Sequence, residues 1–167
     1  MGVGRISVFE SPEIQGVLLA MRGIDKELAA QIRKATKTVT VGEWRGFLAA
    51  EASTALERRT LVDSARVAVG NQNVSLRTGQ LAKKTSGGGK LYQLTGGVEF
   101  GAHPGRPVRS KSGKGKAYWR KQGTGFKAPN PGGYVAYPAV AKAIPRIASL
   151  WVSTVVRTLH EAFEGGR

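Results

Sequence analysis

The sequence predicts an α+β fold, and three observations lead to this class. Apolar residues recur every three or four positions near both ends of the chain, as they do along one face of a helix. Between these stretches lie short β-prone runs with glycine-rich turns, followed by a long basic segment. The 167 residues suit a single domain, with a helical region at 1–63, β-hairpins at 64–101, a basic loop at 102–133 and a C-terminal helix at 134–167.

Amphipathic helices account for the first region. The run Ser-Pro-Glu at 11–13 is typical of a helix start, with Ser as the N-cap and Pro at the first helical position. The apolar stripe that follows predicts a helix over residues 12–37. The β-branched run and glycine at 36–42 weaken this helix, and helical spacing resumes from Trp44 to about residue 61. The region is therefore one long kinked helix or two helices.

Two predicted hairpins supply a small antiparallel sheet of about four strands. Residues 65–69 and 73–77 are β-prone and flank a Gly-Asn-Gln turn. Residues 91–95 and 98–100 flank two consecutive glycines, a connection that suits a tight hairpin.

The C-terminal region predicts an amphipathic helix. Pro138 suits a helix start, and Pro145 permits a second start or a kink. Apolar residues then follow at helical spacing: Ile147, Leu150, Trp151, Val155, Leu159 and Phe163. Large apolar side chains on the helical stripes are expected in the core or at a subunit interface, and four stand out: Trp44, Phe47, Leu150 and Trp151.

The net charge of +15 is concentrated in one part of the chain. Residues 1–63 hold nine basic and eight acidic side chains, whereas residues 64–160 hold sixteen basic side chains and one acid, Glu99. Charge of this size indicates partners rather than fold, and nucleic acid or an acidic surface is expected nearby.

The basic loop is the candidate binding segment. Its residues 105–127 contain eight Lys or Arg, three aromatics and no acid, and we expect it to be mobile when alone. Such a segment could stack bases, track a duplex backbone without reading sequence, or be merely solvated. Because no recognition-helix or zinc-finger pattern accompanies it, we favour backbone contact. The expected contact residues are Arg106, Arg109, Lys111, Lys114, Lys116, Trp119, Arg120, Lys121 and Lys127.

The residue types that catalysis needs form no readable site. The chain has no Cys, and nothing links its two histidines, His103 and His160, to a Ser or an acid. The run at 112–115 lacks the spacing of a phosphate-binding loop. We therefore predict no catalytic residue, no metal and no cofactor. No apolar run approaches the roughly 18 residues of a membrane span, so we also expect no membrane partner.

Two short motifs and the order of the elements suggest a family. The motifs are Arg77-Thr78-Gly79-Gln80-Leu81 and Val98-Glu99-Phe100-Gly101. With an amphipathic helical region before them and a loop and helix after them, the chain resembles the small neck and minor tail-component proteins of long-tailed bacteriophages, the head-to-tail joining or tail-completion proteins of the lambda Z type. The family residues carried over are Arg77, Thr78, Gly79, Leu81, Val98, Glu99, Phe100 and Gly101.

The resemblance implies a structural, non-enzymatic protein of the virion, assembled in the host cytoplasm. It implies a homo-oligomeric ring, with six subunits, between the capsid connector and the tail. The implied partners are neighbouring neck, tail-tube or tail-terminator proteins and the genomic double-stranded DNA in the lumen. The basic loop would then meet DNA phosphates or a neighbouring ring. The alternative that remains open is a sequence-independent nucleic-acid-binding protein outside a virion.

Overall fold

The fold brings helices from the two ends of the chain together and mounts two small antiparallel sheets beside them. In this computed structural model, residues 4–6, 12–71, 73–85 and 89–164 are described, and the predicted α+β class is confirmed. The helices are α1 Pro12–Gly23, α2 Lys26–Glu51, α3 Ala55–Glu57, α4 Leu91–Phe100 and α5 Ala136–Glu164, and a π-helical turn, Arg58–Val62, follows α3. The strands are β1 Gly4–Ile6, β2 Arg66–Val69, β3 Val74–Arg77, β4 Pro107–Lys111 and β5 Ala117–Lys121.

The break between the first two helices lies earlier than the sequence predicted. Asp25 caps α2 by accepting a hydrogen bond of 2.8 Å from the backbone N–H of Leu28. The predicted helix over 12–37 is therefore wrong, because the β-branched run lies inside α2. Thr36 and Thr40 are fully buried there, and packing outweighs their weak helix propensity. The predicted N-cap, Ser11, lies outside the described residues.

The first predicted hairpin is confirmed, and it gains a third strand. β2 and β3 pair antiparallel, with Val67 opposite Leu76. β1 pairs with the other edge of β3, so the strand order is β1-β3-β2. Val67, Val74 and Leu76 point into the core, as the period of two requires.

The second predicted hairpin is wrong, because residues 91–100 form α4. The two glycines that suggested a turn lie within this helix. At Gly97, a Cβ atom would lie 2.9 Å from the ring of Phe126, so the glycine admits a contact from a distant part of the chain. The helix is thus stabilised by packing that no local pattern reveals.

The C-terminal helix is confirmed and begins at Ala136, two residues before Pro138. Pro138 therefore lies in the first turn, where a backbone N–H has no helical partner. The helix continues through Pro145. Among the described residues, α5 is the one helix long and apolar enough to cross a membrane by length and composition alone, a test that core helices of soluble proteins also pass.

The core lies mainly between α2 and α5. Trp44 of α2 and Trp151 of α5 are both buried, Phe47 is half-buried against the same core, and Leu150 is half-buried on α5. Trp44 also donates from Nε1 to the carbonyl oxygen of Arg77 at 3.2 Å, which ties α2 to the end of β3. Both tryptophans are therefore core residues of the single chain.

Candidate nucleic-acid interface

The basic segment contains a β-hairpin, where the sequence predicted an irregular loop. β4 and β5 pair antiparallel over five residues each, with Arg109 directly opposite Trp119. Each strand is about 17 Å long at the usual rise per residue. The prediction of an irregular loop over 102–133 is therefore wrong for the two strands, Pro107–Lys111 and Ala117–Lys121. Backbone pairing between the two strands supplies order that charge and glycine content had argued against.

A short turn closes the hairpin at its tip. The backbone N–H of Ser112 donates to the carbonyl of Lys116 at 2.8 Å, and Gly115 donates to Ser112 at 2.9 Å. Gly115 has a φ of +81°, a conformation that glycine adopts without strain. Lys114 and Lys116 thus lie at the exposed tip.

Two backbone hydrogen bonds join the two sides of the hairpin base. Ala102 donates to Lys127 at 2.9 Å, and Asn130 donates to Phe100 at 2.8 Å. Further along the hairpin, the backbone N–H of Gly105 donates to the carbonyl oxygen of Gln122 at 2.8 Å. The segment therefore leaves the body as a ribbon with a fixed base and an exposed end.

Gly101 allows the two sides of this base to approach. Its φ of +70° and ψ of −176° belong to a region that is essentially restricted to glycine. A Cβ atom at this position would lie 1.9 Å from the carbonyl oxygen of Ala128. The last residue of the second motif is thus needed for the mounting of the hairpin.

Lys127 closes the base through side-chain contacts. Its Nζ lies 2.5 Å from Oε1 of Glu57, 2.8 Å from Oγ of Ser53 and 4.7 Å from the ring centroid of Tyr134. Burial raises the pKa of the Glu57 carboxyl, but the hydrogen bonds from Lys127 and from the backbone N–H groups of Thr54 and Ser53 outweigh burial and hold this pKa below its usual 4.5. Lys127, predicted as a binding residue, is therefore engaged within the fold.

The rest of the hairpin presents unpaired positive charge. Within the described parts of the chain, no Asp or Glu forms an ion pair with a lysine or arginine of residues 103–122. Trp119 is 70% exposed and Tyr118 is 47% exposed, although both are aromatic. Eight of the predicted contact residues lie in or next to this hairpin and are exposed: Arg106, Arg109, Lys111, Lys114, Lys116, Trp119, Arg120 and Lys121.

The first motif forms a buried hydrogen-bond network. Gly79 donates its N–H to Oγ of Ser64 at 2.6 Å, and its carbonyl accepts from Oγ1 of Thr95 at 2.8 Å. Thr78 donates from Oγ1 to the carbonyl of Leu61. Gly79 has a φ of +79°, and a Cβ there would lie 2.4 Å from a methyl group of Thr95. The motif joins the π-helical turn to α4.

Glu99 of the second motif caps α5. Its carboxylate, almost fully buried, accepts from the backbone N–H groups of Val135, Ala136 and Tyr137 at 3.3, 2.8 and 3.0 Å. These donors lie at the positive end of the helix dipole, where a carboxylate is stabilising. The ring of Phe100 packs edge-on against Tyr137, with centroids 5.5 Å apart. The sequence identified Glu99 as the lone acid of its region but did not indicate this role.

The other motif residues also serve the fold. Val98 is buried, and the carbonyl of Leu81 accepts from the backbone N–H of Tyr92 at 3.1 Å. The side chain of Arg77 is exposed, and its carbonyl accepts the Trp44 bond. The two motifs therefore hold together the elements from which the hairpin and α5 emerge.

The two histidines lie in different parts of the fold, and neither is in a hairpin strand. His103 is exposed beside the hairpin base, and Nδ1 of His160 lies 3.1 Å from a carboxylate oxygen of Glu164 near the end of α5. In the described residues, no three His, Cys, Asp or Glu side chains are grouped so that they could hold a metal ion.

Comparison with known proteins adds no relative to this picture. No family model, no curated protein and no solved structure matches the chain.

Proposed function

We propose that the chain is a structural virion protein of a tailed bacteriophage. In this proposal it forms a ring in the neck that joins the capsid connector to the tail, and genomic double-stranded DNA passes through the ring. The observation that carries the proposal is the exposed, unpaired basic hairpin on a fixed base. A hairpin of this kind meets a polyanion without needing any catalytic group.

The placement of the family motifs supports a structural role. Gly79 and Gly101 occur where a side chain would collide with Thr95 or Ala128, and Glu99 caps a long helix. Each of these residues fixes the course of the backbone or caps a helix. These roles support a structural, non-enzymatic protein, as the resemblance to neck and tail-completion proteins implies.

The chemistry of the hairpin favours contact with DNA phosphates rather than with bases. The hairpin is rich in lysine and arginine, which neutralise phosphates. Its cations lie on two strands and not on a recognition helix. Contacts to phosphates depend on charge and are insensitive to sequence. A neck protein must admit the whole genome, so such contacts suit the proposed role.

A groove between two of the helices offers a surface for a neighbouring subunit. The groove, of about 800 Å³, lies between α1 and the second half of α5, and Ile14, Val152 and Val156 contribute to its apolar lining. Val156 and Leu19 are both more than half exposed. Exposed apolar surface of this kind is typical of protein contacts, and packing of neighbouring copies against it would supply the proposed ring.

The central test removes charge from the hairpin and follows both assembly and DNA binding. One variant replaces five hairpin cations by Gln, and a matched control replaces five exposed helical cations. We expect the hairpin variant to lose duplex binding or joining of capsids to tails, and the control to retain both. Equal behaviour of the two variants would contradict the proposal. The hairpin set is Lys111, Lys114, Lys116, Arg120 and Lys121, and the control set is Arg22, Lys26, Lys34, Lys37 and Arg45.

The mass of the protein in solution, alone and with tailless capsids or isolated tails, tests the neck role itself. A ring, or a monomer that binds one of these particles in fixed stoichiometry, supports it. The exposed hairpin also favours a second function, a sequence-independent nucleic-acid-binding protein outside a virion. A monomer that ignores both particles but coats DNA at low salt, with affinity falling steeply as salt rises, supports that second function.

A further inference from the structure

The two faces of the hairpin differ in charge. Directly opposed residues on antiparallel strands share a face, and alternate residues on one strand lie on opposite faces. The pairing of Arg109 with Trp119, and of Val108 with Arg120, assigns every strand residue to one face or the other. The first face holds Pro107, Arg109, Lys111, Ala117, Trp119 and Lys121, and the second holds Val108, Ser110, Tyr118 and Arg120.

Burial follows the same division along β4. Pro107, Arg109 and Lys111 are exposed, whereas Val108 and Ser110 are half-buried. On β5 the residues of both faces are exposed, with Trp119 at 70% and Tyr118 at 47%, so the first face is the more open of the two and is called the open face. It also carries three of the four strand cations and Trp119, the most exposed aromatic residue of the hairpin.

The spacing of the open face suits a nucleic-acid backbone. Side chains on one face of a strand recur at two-residue intervals, which is about 7 Å. Phosphates of one DNA strand advance by about 3.4 Å along the helix axis and also wind around it, so a row of cations about 7 Å apart is on the scale of the phosphate array.

We propose that this open face, defined by Arg109, Lys111, Trp119 and Lys121, is the surface that binds duplex DNA, and that the Arg120 face does not contact it. The inference rests on the proposed function, in which the hairpin meets DNA, and it adds the orientation of the ribbon. Lys114 and Lys116 at the tip extend the contact beyond the strands.

The test compares arginines that differ in face but share the hairpin. Arg109→Gln and Arg120→Gln remove the same charge from exposed positions on neighbouring rungs. Binding of the full chain to a fluorescent duplex of about 20 base pairs is measured by anisotropy across a range of salt concentrations. We expect Arg109→Gln, and likewise Lys121→Gln, to lower the slope of log K against log salt by about 1, the value for one lost phosphate contact. We expect Arg120→Gln to leave the slope unchanged.

The outcomes separate the face from the hairpin as a whole. Equal losses for Arg109→Gln and Arg120→Gln overturn the face assignment but leave the hairpin as the DNA contact. Wild-type slopes in every single variant and in the five-cation hairpin variant overturn the hairpin contact itself, as does failure of the wild-type chain to bind duplex at low salt. Tighter binding to a single strand than to the duplex, lost in Trp119→Ala, overturns duplex as the ligand and indicates base stacking. Circular dichroism and thermal unfolding confirm that each variant is folded.

Discussion

At the scale of single residues, the two buried tryptophans differ in what their indole N–H groups meet. Trp44 donates to the carbonyl of Arg77, whereas Nε1 of Trp151 has no hydrogen-bond partner among the described residues. We expect Trp44→Phe to cost about 1 kcal/mol more stability than Trp151→Phe, because only the first change removes a hydrogen bond. Urea unfolding of both variants measures the difference.

The pair of tryptophan variants provides its own control. Both changes remove a similar volume from the core, so the cavity cost is shared and the difference isolates the hydrogen bond. A larger loss in Trp151→Phe than in Trp44→Phe would mean that the Trp151 indole N–H is satisfied in solution.

Gly101 is a residue for which the structure admits no side chain. We expect Gly101→Ala to destabilise the protein by at least the roughly 1–3 kcal/mol of a strained backbone conformation, because its Cβ would also press on Ala128. Gly113, at the hairpin tip, has open space around it, and Gly113→Ala should change stability by less than about 0.5 kcal/mol. Thermal unfolding compares the two, and similar melting temperatures would show that the base of the hairpin adapts.

Glu57 gives the fold a specific dependence on pH. Its pKa is lowered in the folded state, so its contribution to stability is complete above the unfolded value of about 4.5 and is lost as the pH falls through the folded pKa. We expect the stability difference between wild type and Glu57→Gln to be constant from pH 7 to about 5 and to shrink below 4.5. Denaturant titrations at pH 7, 5, 4 and 3 test this. A difference that stays constant down to pH 3 contradicts the role of the Lys127 contact.

At the scale of elements, the three-stranded sheet contains an unfavourable pair. Arg66 of β2 and Arg77 of β3 are directly opposite and both exposed. Like charges in this position are destabilising, and opposite charges contribute roughly 0.2–1 kcal/mol. We therefore expect Arg66→Glu to raise the stability by several tenths of a kcal/mol, measured by urea unfolding at low salt. No gain would mean that the two guanidinium groups already lie apart.

Elements with a strong local pattern were predicted, and those held by distant contacts were not. The β-prone runs around residues 70–73 and the apolar stripe from Ile147 specify their own structure. The α4 helix depends on Phe126 packing over Gly97, and the start of α2 depends on a break at Asp25 that the periodicity runs straight through. The sequence signal for β5 was a β-prone Ala-Tyr-Trp run, which the surrounding charge obscured, and β4 carries no comparable run.

At the scale of the whole molecule, the sequence showed which segment carries the positive charge but not how its side chains are oriented. The sequence identified eight cations between residues 105 and 127. It did not show that Lys127 turns inward to Glu57, or that the remaining cations divide between two faces. Those distinctions depend on strand register and on a residue some 70 positions earlier in the chain, and neither leaves a local trace.

The fixed base of the hairpin has a consequence for the covalent chain. α2, which precedes the hairpin in the sequence, packs against α5, which follows it. The hairpin base also joins residues 100–102 to residues 127–130 by backbone hydrogen bonds. The peptide link at the tip is therefore not needed to hold the two parts side by side. A protease site inserted at Gly113 should yield two fragments on a denaturing gel but a single species on size exclusion. The protein would then serve as a split scaffold, whose two halves, expressed separately, reassemble and leave the tip free to carry a label.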